Sequence, residues 1–503
     1  MSLFNKFIVN VGWTTLGKSV VQILLFAISI LLTRYLGKAR LGDYATLLVI
    51  PIFIRLLNSF GLETIIYKYL PKLNVKDPSG AQGKYLFSRF LGLRFLTTFG
   101  FCILMYLFLP YYLDIINYQS LMEFRWVLIF YFIVITVDSL LSTLFMTLLR
   151  FKTLAKIEIS GAIMNLLLLI LFIRLDHGIY GVLYAYIISM SATNIIYLFL
   201  ARKQWLGPTT KKPEINDIGQ SAWVSYGIGL MGFGLMTQSD VLLMNFFNVD
   251  RGDIGLYYLS TGFGGALAFL LAGVAPMAFS LFSETYTKDG IKSLENLYCQ
   301  IVGFASYLTI PINIFCVLNA SHVINFIYGP AFIEGTDALG VYVTFAGIQT
   351  ALGINFTISC LFVINKQNMA LRSTVEGSIL NIGLNLVMIP TFGMMGAITA
   401  TGIVMIYVVV RQLKVITSEM EITPLFPFIG KCLLYCLVAS IPPSILSELN
   451  IGNLILNLFL YIITLLGLLI CIKPFNDKQK QLLINVYPKF GDWFKWFFRL
   501  SKI

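Results

Sequence analysis

The chain has 503 residues, of which 58% are hydrophobic and 12% are charged, and it carries a formal net charge of +12. With a mean hydropathy of +0.82, this composition excludes an ordinary soluble protein and indicates a polytopic membrane protein. At about 20 apolar residues per crossing, the length accommodates roughly 12 to 15 membrane helices and leaves no separate soluble domain.

Apolar segments in chain order predict an all-α polytopic fold with about fourteen transmembrane helices. Each predicted span is followed by a short polar connection. The spans begin near Gly12, Tyr44, Phe87, Trp126, Glu158, Ile179, Ser221, Ile254, Leu297, Ala338, Leu371, Gly393, Pro427 and Leu454.

Lysine and arginine are concentrated in alternate connections, which predicts that both termini lie in the cytoplasm. Because the basic residues are scattered through these short loops and form no soluble basic module, we expect no nucleic-acid partner. The seven cysteines lie in or beside apolar spans without metal or redox spacing. We therefore predict no metal and no cofactor.

Two pairs of landmarks recur along the chain and predict a duplicated membrane unit. Gly42-x-Tyr44 is matched by Gly255-x-Tyr257 at an offset of 213 residues, and the segment from Asn165 is matched by the segment from Asn381 at an offset of 216. Since each copy would hold six crossings, the two copies should be related by an axis along the membrane normal.

The longest polar break lies after the sixth span and contains Pro208, Pro213 and paired lysines. It predicts the boundary between two pseudo-symmetric six-helix lobes, followed by two extra helices and an aromatic, basic tail suited to a membrane surface. The predicted segments are lobe one at 1–202, a cytoplasmic linker at 203–219, lobe two at 220–418, helices 13 and 14 at 419–473, and the amphipathic tail at 474–503.

Ionisable residues inside apolar spans are costly and therefore mark candidate functional sites. The first lobe presents Lys18, Arg55 and Arg94 as intramembrane cations against one intramembrane acid, Asp138. This excess of positive charge favours an anionic ligand. Two alternatives stay open, since Arg55 and Asp138 could simply lock helices together, and Arg94 could reach the inner headgroups.

Other polar residues extend this candidate site. Gln22 shares a helix face with Lys18, and Asn58 lies close to Arg55 in helical projection. Asp240 in the seventh span, like Asp138, is a candidate for ion coupling or gating. Histidines without metal spacing, the absence of a phosphate-binding loop and short outward loops poor in acids argue against an enzyme.

Four stretches together resemble one known family. They are LTRYLGKARLGDY (32–44), NSFGLETIIYKYLPK (58–72), SDVLLMNFFNVDRGDIGLYYLS (239–260) and the segment 381–397. In order and spacing the chain resembles the polysaccharide or O-antigen flippases (Wzx type) of the multidrug/oligosaccharidyl-lipid/polysaccharide exporter superfamily. The resemblance covers almost the entire chain.

That resemblance implies two six-helix lobes around a central cavity, alternating access, and cargo of the undecaprenyl-pyrophosphate-linked oligosaccharide type. It also implies a multi-pass protein of the cytoplasmic membrane, surrounded by membrane lipids, working with a polysaccharide polymerase and glycosyltransferases and driven by a monovalent cation gradient. Under this reading Lys18, Arg55 and Arg94, with Gln22 and Asn58, bind the substrate.

Several alternatives remain at this stage. They are a multidrug exporter for organic cations, a lipid II flippase, an integral-membrane enzyme of glycan assembly and a purely structural membrane protein. Buried acids would be expected of a cation exporter, whereas the basic excess in the first lobe favours an anionic cargo.

Overall fold

The computed structural model describes residues 3–77, 79–148, 150–206, 211–213, 218–268, 271, 274–448 and 453–472. Every regular element in these residues is helical, which confirms the all-α prediction. The predicted amphipathic tail at 474–503 lies outside the described residues, and so do residues 207–210 and 214–217 of the predicted linker at 203–219.

The first nine helices cover the chain as far as Ala268, and the ninth contains the repeat landmark at Tyr257. They are α1 (Leu3–Leu57), α2 (Leu62–Lys76), α3 (Ala81–Ile115), α4 (Arg125–Thr147), α5 (Phe151–Arg174), α6 (Gly178–Trp205), α7 (Ile218–Phe233), α8 (Thr237–Phe246) and α9 (Arg251–Ala268). A 3₁₀ turn at Gln119–Phe124 precedes α4.

The remaining helices include the longest apolar segments of the second half. They are α10 (Val274–Leu318), α11 (Ala320–Ile327), α12 (Thr336–Ala351), α13 (Ile354–Val363), α14 (Gln367–Glu419), α15 (Leu425–Ala439), α16 (Ile441–Glu448) and α17 (Leu454–Ile472).

Two of the longest helices are each interrupted by a glycine in a left-handed conformation. Gly37 interrupts α1 with φ of 74°, and Gly393 interrupts α14 with φ of 55°. An unbroken helix of 53 residues would be about 80 Å long, more than twice the hydrocarbon thickness of about 30 Å. Each break therefore divides its helix into two segments, which we call arms, each long enough to cross a membrane. This agrees with the separate spans predicted to begin at Tyr44 and Gly393.

Among the described residues, nine helical segments are long and apolar enough to cross a membrane, and α7 and α8 together form a tenth, bent by 61°. This count is lower than the predicted fourteen for two reasons. Two spans were predicted in each of α1 and α14, which are counted once, and the spans predicted in α9 and α17 are not among these segments. All fourteen predicted starts fall inside described helices.

The chain divides into two compact units. Unit 1 contains Met1–Leu259 and Thr374–Ala400, and unit 2 contains Ser260–Ser373 and Thr401–Ile503. The two units are sets of residues that lie close together in space, whereas the two predicted lobes are the two copies of the sequence repeat. The lobe boundary at 203–219 stays a prediction.

Unit 1 has an interior formed largely by α2, α3, α4 and α6. The short helix α2 turns one apolar face inward, with Ile66 and Leu70 fully buried against Phe87 and Leu144. Apolar side chains on α3, α5 and α6 point outward instead, as expected for helices in contact with lipid. They include Leu96, Phe99, Phe108, Leu167 and Ile195, all more than 60% exposed.

One helix crossing in unit 1 brings the two predicted repeat landmarks into contact. A Cβ atom built on Gly42 would lie 1.9 Å from the carbonyl oxygen of Arg251, and one built on Gly255 would lie 2.1 Å from the carbonyl oxygen of Lys38. The contact is reciprocal, because Lys38 and Arg251 each precede their glycine by four residues. Only glycine permits backbones to approach this closely.

Unit 2 has its own apolar core around Phe282, Tyr298 and Phe356. Its buried polar groups are joined by neutral hydrogen bonds, since Gln412 contacts both Thr357 and Ser373. Interhelical amide and hydroxyl contacts of this kind stabilise membrane helix packing without burying charge.

Asp77 joins three segments at the end of α2. Its carboxylate accepts hydrogen bonds from the Ser79 hydroxyl at 2.6 Å, the Gln82 backbone N–H at 3.1 Å and the Lys211 ammonium at 2.9 Å. The Ser79 hydrogen bond, followed by the contact with Lys211, holds the pKa of Asp77 below its ordinary value. This carboxylate therefore anchors Lys211, in the described part of the linker.

We expect the Asp77→Asn variant to be less stable than the wild type at neutral pH. A carboxyl group with a lowered folded-state pKa stabilises the fold above its unfolded pKa of about 4, and this contribution is lost progressively at lower pH. The melting-temperature difference between wild type and variant should therefore close as pH falls below about 4. Lys211→Met is the control and should have a smaller effect, because the Lys211 side chain is 54% exposed. A difference that is independent of pH would contradict this assignment.

Candidate functional site

Arg55 lies in the last turn of α1, directly before a break in the chain. The break spans Asn58 to Gly61, with positive φ at Phe60 and Gly61, and α2 begins at Leu62. A hydrogen bond from α7 stabilises the break, since the Tyr226 hydroxyl donates to the Leu57 carbonyl oxygen at 3.0 Å. The position of Arg55 is thus fixed by a helix end.

Arg55 is partly buried and lines a cavity of about 590 Å³ within unit 1. Most of the polar lining comes from α1, α4, α6 and the α7–α8 bend. We call this cavity the Arg55 cavity. Its polar lining residues are Arg55, Ser59, Glu63, Tyr131, Asp138, Ser139, Ser142, Thr143, Tyr186 and Gln238.

Within the part of the chain that the structure describes, Arg55 forms no salt bridge and no hydrogen bond. Asp138 faces the same cavity and interacts electrostatically with Arg55, but the two side chains are not in ion-pair contact. The guanidinium therefore keeps its hydrogen-bond donors available toward the cavity.

A second polar cavity, of about 260 Å³, adjoins the first in unit 1. Asp138, Ser142, Tyr186 and Met190 line both cavities. The smaller cavity also contains Glu158, a carboxylate in the span formed by α5. Asp138 thus lies where the two cavities meet.

Arg94 is fully buried and is engaged in structural contacts around the break after α1. It donates to the carbonyl oxygens of Asn58 and Ser59 and forms a salt bridge of 2.6 Å with Glu63. Ser139 on α4 donates to the same Glu63 oxygen at 2.5 Å. Through these contacts Arg94 binds carbonyl groups at the helix end, and its role is therefore structural rather than part of the proposed binding site.

We expect Glu63→Gln to lower the free energy of unfolding by roughly 1–3 kcal/mol, since it leaves the buried Arg94 guanidinium without its counter-charge. The measurement is thermal or denaturant unfolding of the purified variant. Glu123→Gln is a matched control on an exposed carboxylate and should change stability by less than about 0.5 kcal/mol. Equal stability of both variants would contradict the role assigned to Glu63.

The other predicted binding residues occupy different environments. Lys18 and Gln22 are exposed on the first arm of α1 and lie outside the lining of both cavities, although Lys18 interacts electrostatically with Glu158. Asn58 is fully buried, and its side-chain amide donates to the Thr98 hydroxyl at 3.0 Å. Of the predicted substrate-binding set, Arg55 alone lines the Arg55 cavity.

Asp240 is fully buried in the first turn of α8. Its carboxylate accepts hydrogen bonds from the side-chain amides of Asn381 at 2.9 Å and Asn385 at 2.8 Å, and from the Tyr257 hydroxyl at 2.5 Å. Asn381 also donates to the carbonyl oxygen of Gly234, within the bend between α7 and α8. Asp240 thereby joins three helices and this bend in one polar cluster.

Four residues of these sites were not predicted from the sequence. Glu63 and Glu158 are carboxylates, and Glu158 could have been found by the same rule that identified Asp138. Glu158 lies in the span formed by α5, so two acids accompany the three cations of the prediction, while Glu63 lies on α2 and pairs with Arg94. Asn381 was recognised as a repeat landmark, but its pairing with Asp240, like that of Asn385, depends on a tertiary contact.

The family of polysaccharide biosynthesis proteins matches residues 31–336, more than half of the chain. An uncharacterized membrane protein of Methanocaldococcus jannaschii is 22% identical over 511 aligned positions, covering 97% of this chain and 98% of the relative. A protein named as a probable low-salt glycan biosynthesis flippase, from Haloferax volcanii, is 21% identical over 50% of this chain and 53% of its own length.

Similar solved structures include lipid II flippase MurJ in an inward closed conformation, with a TM-score of 0.71 and 16% identity, covering 90% of this chain and 97% of that one. A multidrug resistance transporter in an inward-facing conformation has a TM-score of 0.62 and 15% identity, covering 82% and 99%. At this level of identity the likeness shows the fold alone. The chain thus belongs to the polysaccharide biosynthesis protein family and has the exporter-superfamily fold that its sequence resemblance predicted.

Proposed function

We propose that the protein is a flippase that carries polyprenyl-pyrophosphate-linked oligosaccharide units across the cytoplasmic membrane. The observation that carries the proposal is Arg55, a guanidinium inside a membrane-spanning unit that lines a large polar cavity and has no ion-pair partner among the described residues. The family match and the flippase among the relatives support a lipid-linked glycan as cargo.

The chemistry of the cavity suits the head group of such a lipid. A guanidinium offers planar, paired donors to phosphate oxygens, and these charge-assisted hydrogen bonds strengthen in a site of low polarity. Tyr131, Tyr186 and Gln238 contribute hydroxyl and amide groups of the kind that bind sugars. We assign the pyrophosphate to Arg55 and the sugars to this neutral polar lining.

Transport would follow from opening the Arg55 cavity alternately to each face of the membrane. We propose that Asp240 couples this movement to a monovalent cation gradient, since its cluster joins α8 and α14 to the bend after α7. Both termini would lie in the cytoplasm, where the lysine-rich connections follow the positive-inside rule. A polymerase and glycosyltransferases would use and supply the cargo for O-antigen, capsule or another surface polysaccharide.

The test is mass spectrometry of lipid-linked glycans after depletion of the protein in its native cells, combined with an assay of the leaflet that holds them. We expect a polyprenyl-pyrophosphate oligosaccharide to accumulate on the cytoplasmic leaflet, and its fragmentation would identify the sugars. No accumulation would overturn the proposal. If lipid II accumulates instead, the cargo is the cell-wall precursor.

An organic-cation exporter is the second candidate, because the Asp138 carboxylate faces both cavities and forms no hydrogen bond or ion pair with a described residue. A cationic drug would be expected to bind such a carboxylate. Depleted cells would then become sensitive to cationic dyes without accumulating any lipid-linked glycan, and the Asp138→Asn variant would fail to restore resistance.

A further inference from the structure

A third cavity in unit 1, of about 490 Å³, is walled by apolar side chains of α1, α3 and α8. We call it the apolar groove, and it runs along residues 50–57 of α1, 101–112 of α3 and 242–246 of α8. Among the described residues, no acid or basic side chain lines it, and Tyr112 supplies the one polar side-chain group of its lining. Its volume falls within the range of ordinary ligand pockets.

The apolar groove and the Arg55 cavity share two walls. On α1, Ile52 and Arg55 line the Arg55 cavity, whereas Phe53 and Leu57 line the groove. On α8, Gln238 lines the Arg55 cavity, and Leu242, one helical turn later, lines the groove. A polar and an apolar compartment therefore lie against different residues of the last turns of α1, and α8 contributes to both.

This pairing defines the chemistry of a ligand that would occupy both compartments. Such a ligand needs an anionic, sugar-bearing head for the Arg55 cavity and a long unbranched or isoprenoid hydrocarbon chain for the groove. A lipid with a small head group would leave the Arg55 cavity unfilled, and a soluble sugar phosphate would leave the groove unfilled. A polyprenyl pyrophosphate lipid has both parts, a pyrophosphate head that can bind Arg55 and an isoprenoid chain that can fill the groove.

We propose that the apolar groove binds the isoprenoid chain of the transported lipid while its pyrophosphate is held at Arg55. The inference rests on the proposed function and extends it, because it assigns the chain a protein site on α1, α3 and α8. If the chain binds in the groove, the protein recognises the hydrocarbon chain of the lipid as well as its head group. Head and chain then contribute separately to affinity.

The test uses the full chain in lipid nanodiscs with a polyprenyl pyrophosphate that carries a diazirine in its chain. After irradiation, labelled peptides are mapped by mass spectrometry. We expect labels in residues 101–112 and 242–246. The Leu104→Trp variant should lower this labelling by about fivefold or more, because the larger side chain would occupy space in the groove and weaken binding of the hydrocarbon chain. Leu104 is 46% exposed, so the variant should fold.

Leu167→Trp is the matched control, since Leu167 is 62% exposed on the outer face of α5 and lies outside the groove. Labels spread over α5 and α6, or unchanged by Leu104→Trp, would overturn the groove assignment. Equal labelling by a polyprenol without pyrophosphate would also overturn it, because the groove would then hold ordinary lipid.

Failure of the proposed function gives a different result. Binding of inorganic pyrophosphate, measured by calorimetry on wild type and Arg55→Ala, depends on the head-group site and not on the groove. If wild type binds pyrophosphate and the variant does not, the head-group site stands whatever the labelling pattern. If pyrophosphate binding is absent or unaffected by the substitution, the proposed head-group site fails, and the inference built on it is overturned as well.

Discussion

Replacing Arg55 by alanine is expected to abolish flipping of the lipid-linked oligosaccharide while leaving the protein folded. Loss of the charge-assisted hydrogen bonds to a pyrophosphate should cost about 2–4 kcal/mol of binding free energy, or about 30- to 1,000-fold in affinity. The melting temperature should change little, because Arg55 has no ion pair to lose in the part of the chain that the structure describes. Transport is measured in proteoliposomes and stability by thermal unfolding.

Two further variants separate the role of charge from that of geometry. Arg55→Lys keeps the positive charge but loses the planar pair of donors, so intermediate transport is expected. Arg174→Ala removes an exposed arginine at the end of α5 and should transport normally. A destabilised Arg55→Ala protein would instead favour the structural alternative, in which Arg55 locks helices through Asp138.

Replacing Asp240 by alanine is expected to lower the stability of the protein by about 3–5 kcal/mol. The substitution removes the acceptor shared by Asn381, Asn385 and Tyr257, so each of these buried groups loses a hydrogen bond to a charged partner. The effect should be visible as a large drop in melting temperature of the purified protein.

Asp240→Asn tests the charge of the cluster separately from its hydrogen bonds. The amide oxygen can still accept from Asn381 and Asn385, and the Tyr257 hydroxyl can rotate to accept from the new amide group. We expect a near-normal melting temperature and the loss of cation-dependent transport. Asp337→Ala, an exposed acid in the first turn of α12, is the control and should cost no more than about 1 kcal/mol. Cation-dependent transport by Asp240→Asn would contradict the coupling role.

Hydropathy was sufficient to predict the helical fold, because a bilayer forces each apolar segment to satisfy its backbone hydrogen bonds internally. It could not predict that α1 and α14 would each continue through two arms. That outcome depends on one residue in each case, Gly37 and Gly393, whose positive φ turns the chain without a connecting loop.

The candidate site was only partly accessible from sequence. The cost of burying charge identified Arg55 and Asp138, which the structure brings to one cavity. The same rule selected Arg94, but a buried arginine can serve a helix end as well as a ligand, and only its contacts with Glu63 and two carbonyl groups distinguish these roles. Pairing between distant segments is not encoded in local pattern.

The reciprocal contact of Gly42 and Gly255 has a consequence for how such a chain could have evolved. In an ancestor assembled from two identical halves, a residue on the symmetry axis faces its own copy, and one mutation alters both sides of the contact at once. After gene fusion the two positions can mutate independently. Neither can gain a side chain, however, because each faces an unyielding backbone carbonyl. Under the predicted duplication, the crossing would preserve in sequence a constraint that was set before the halves diverged.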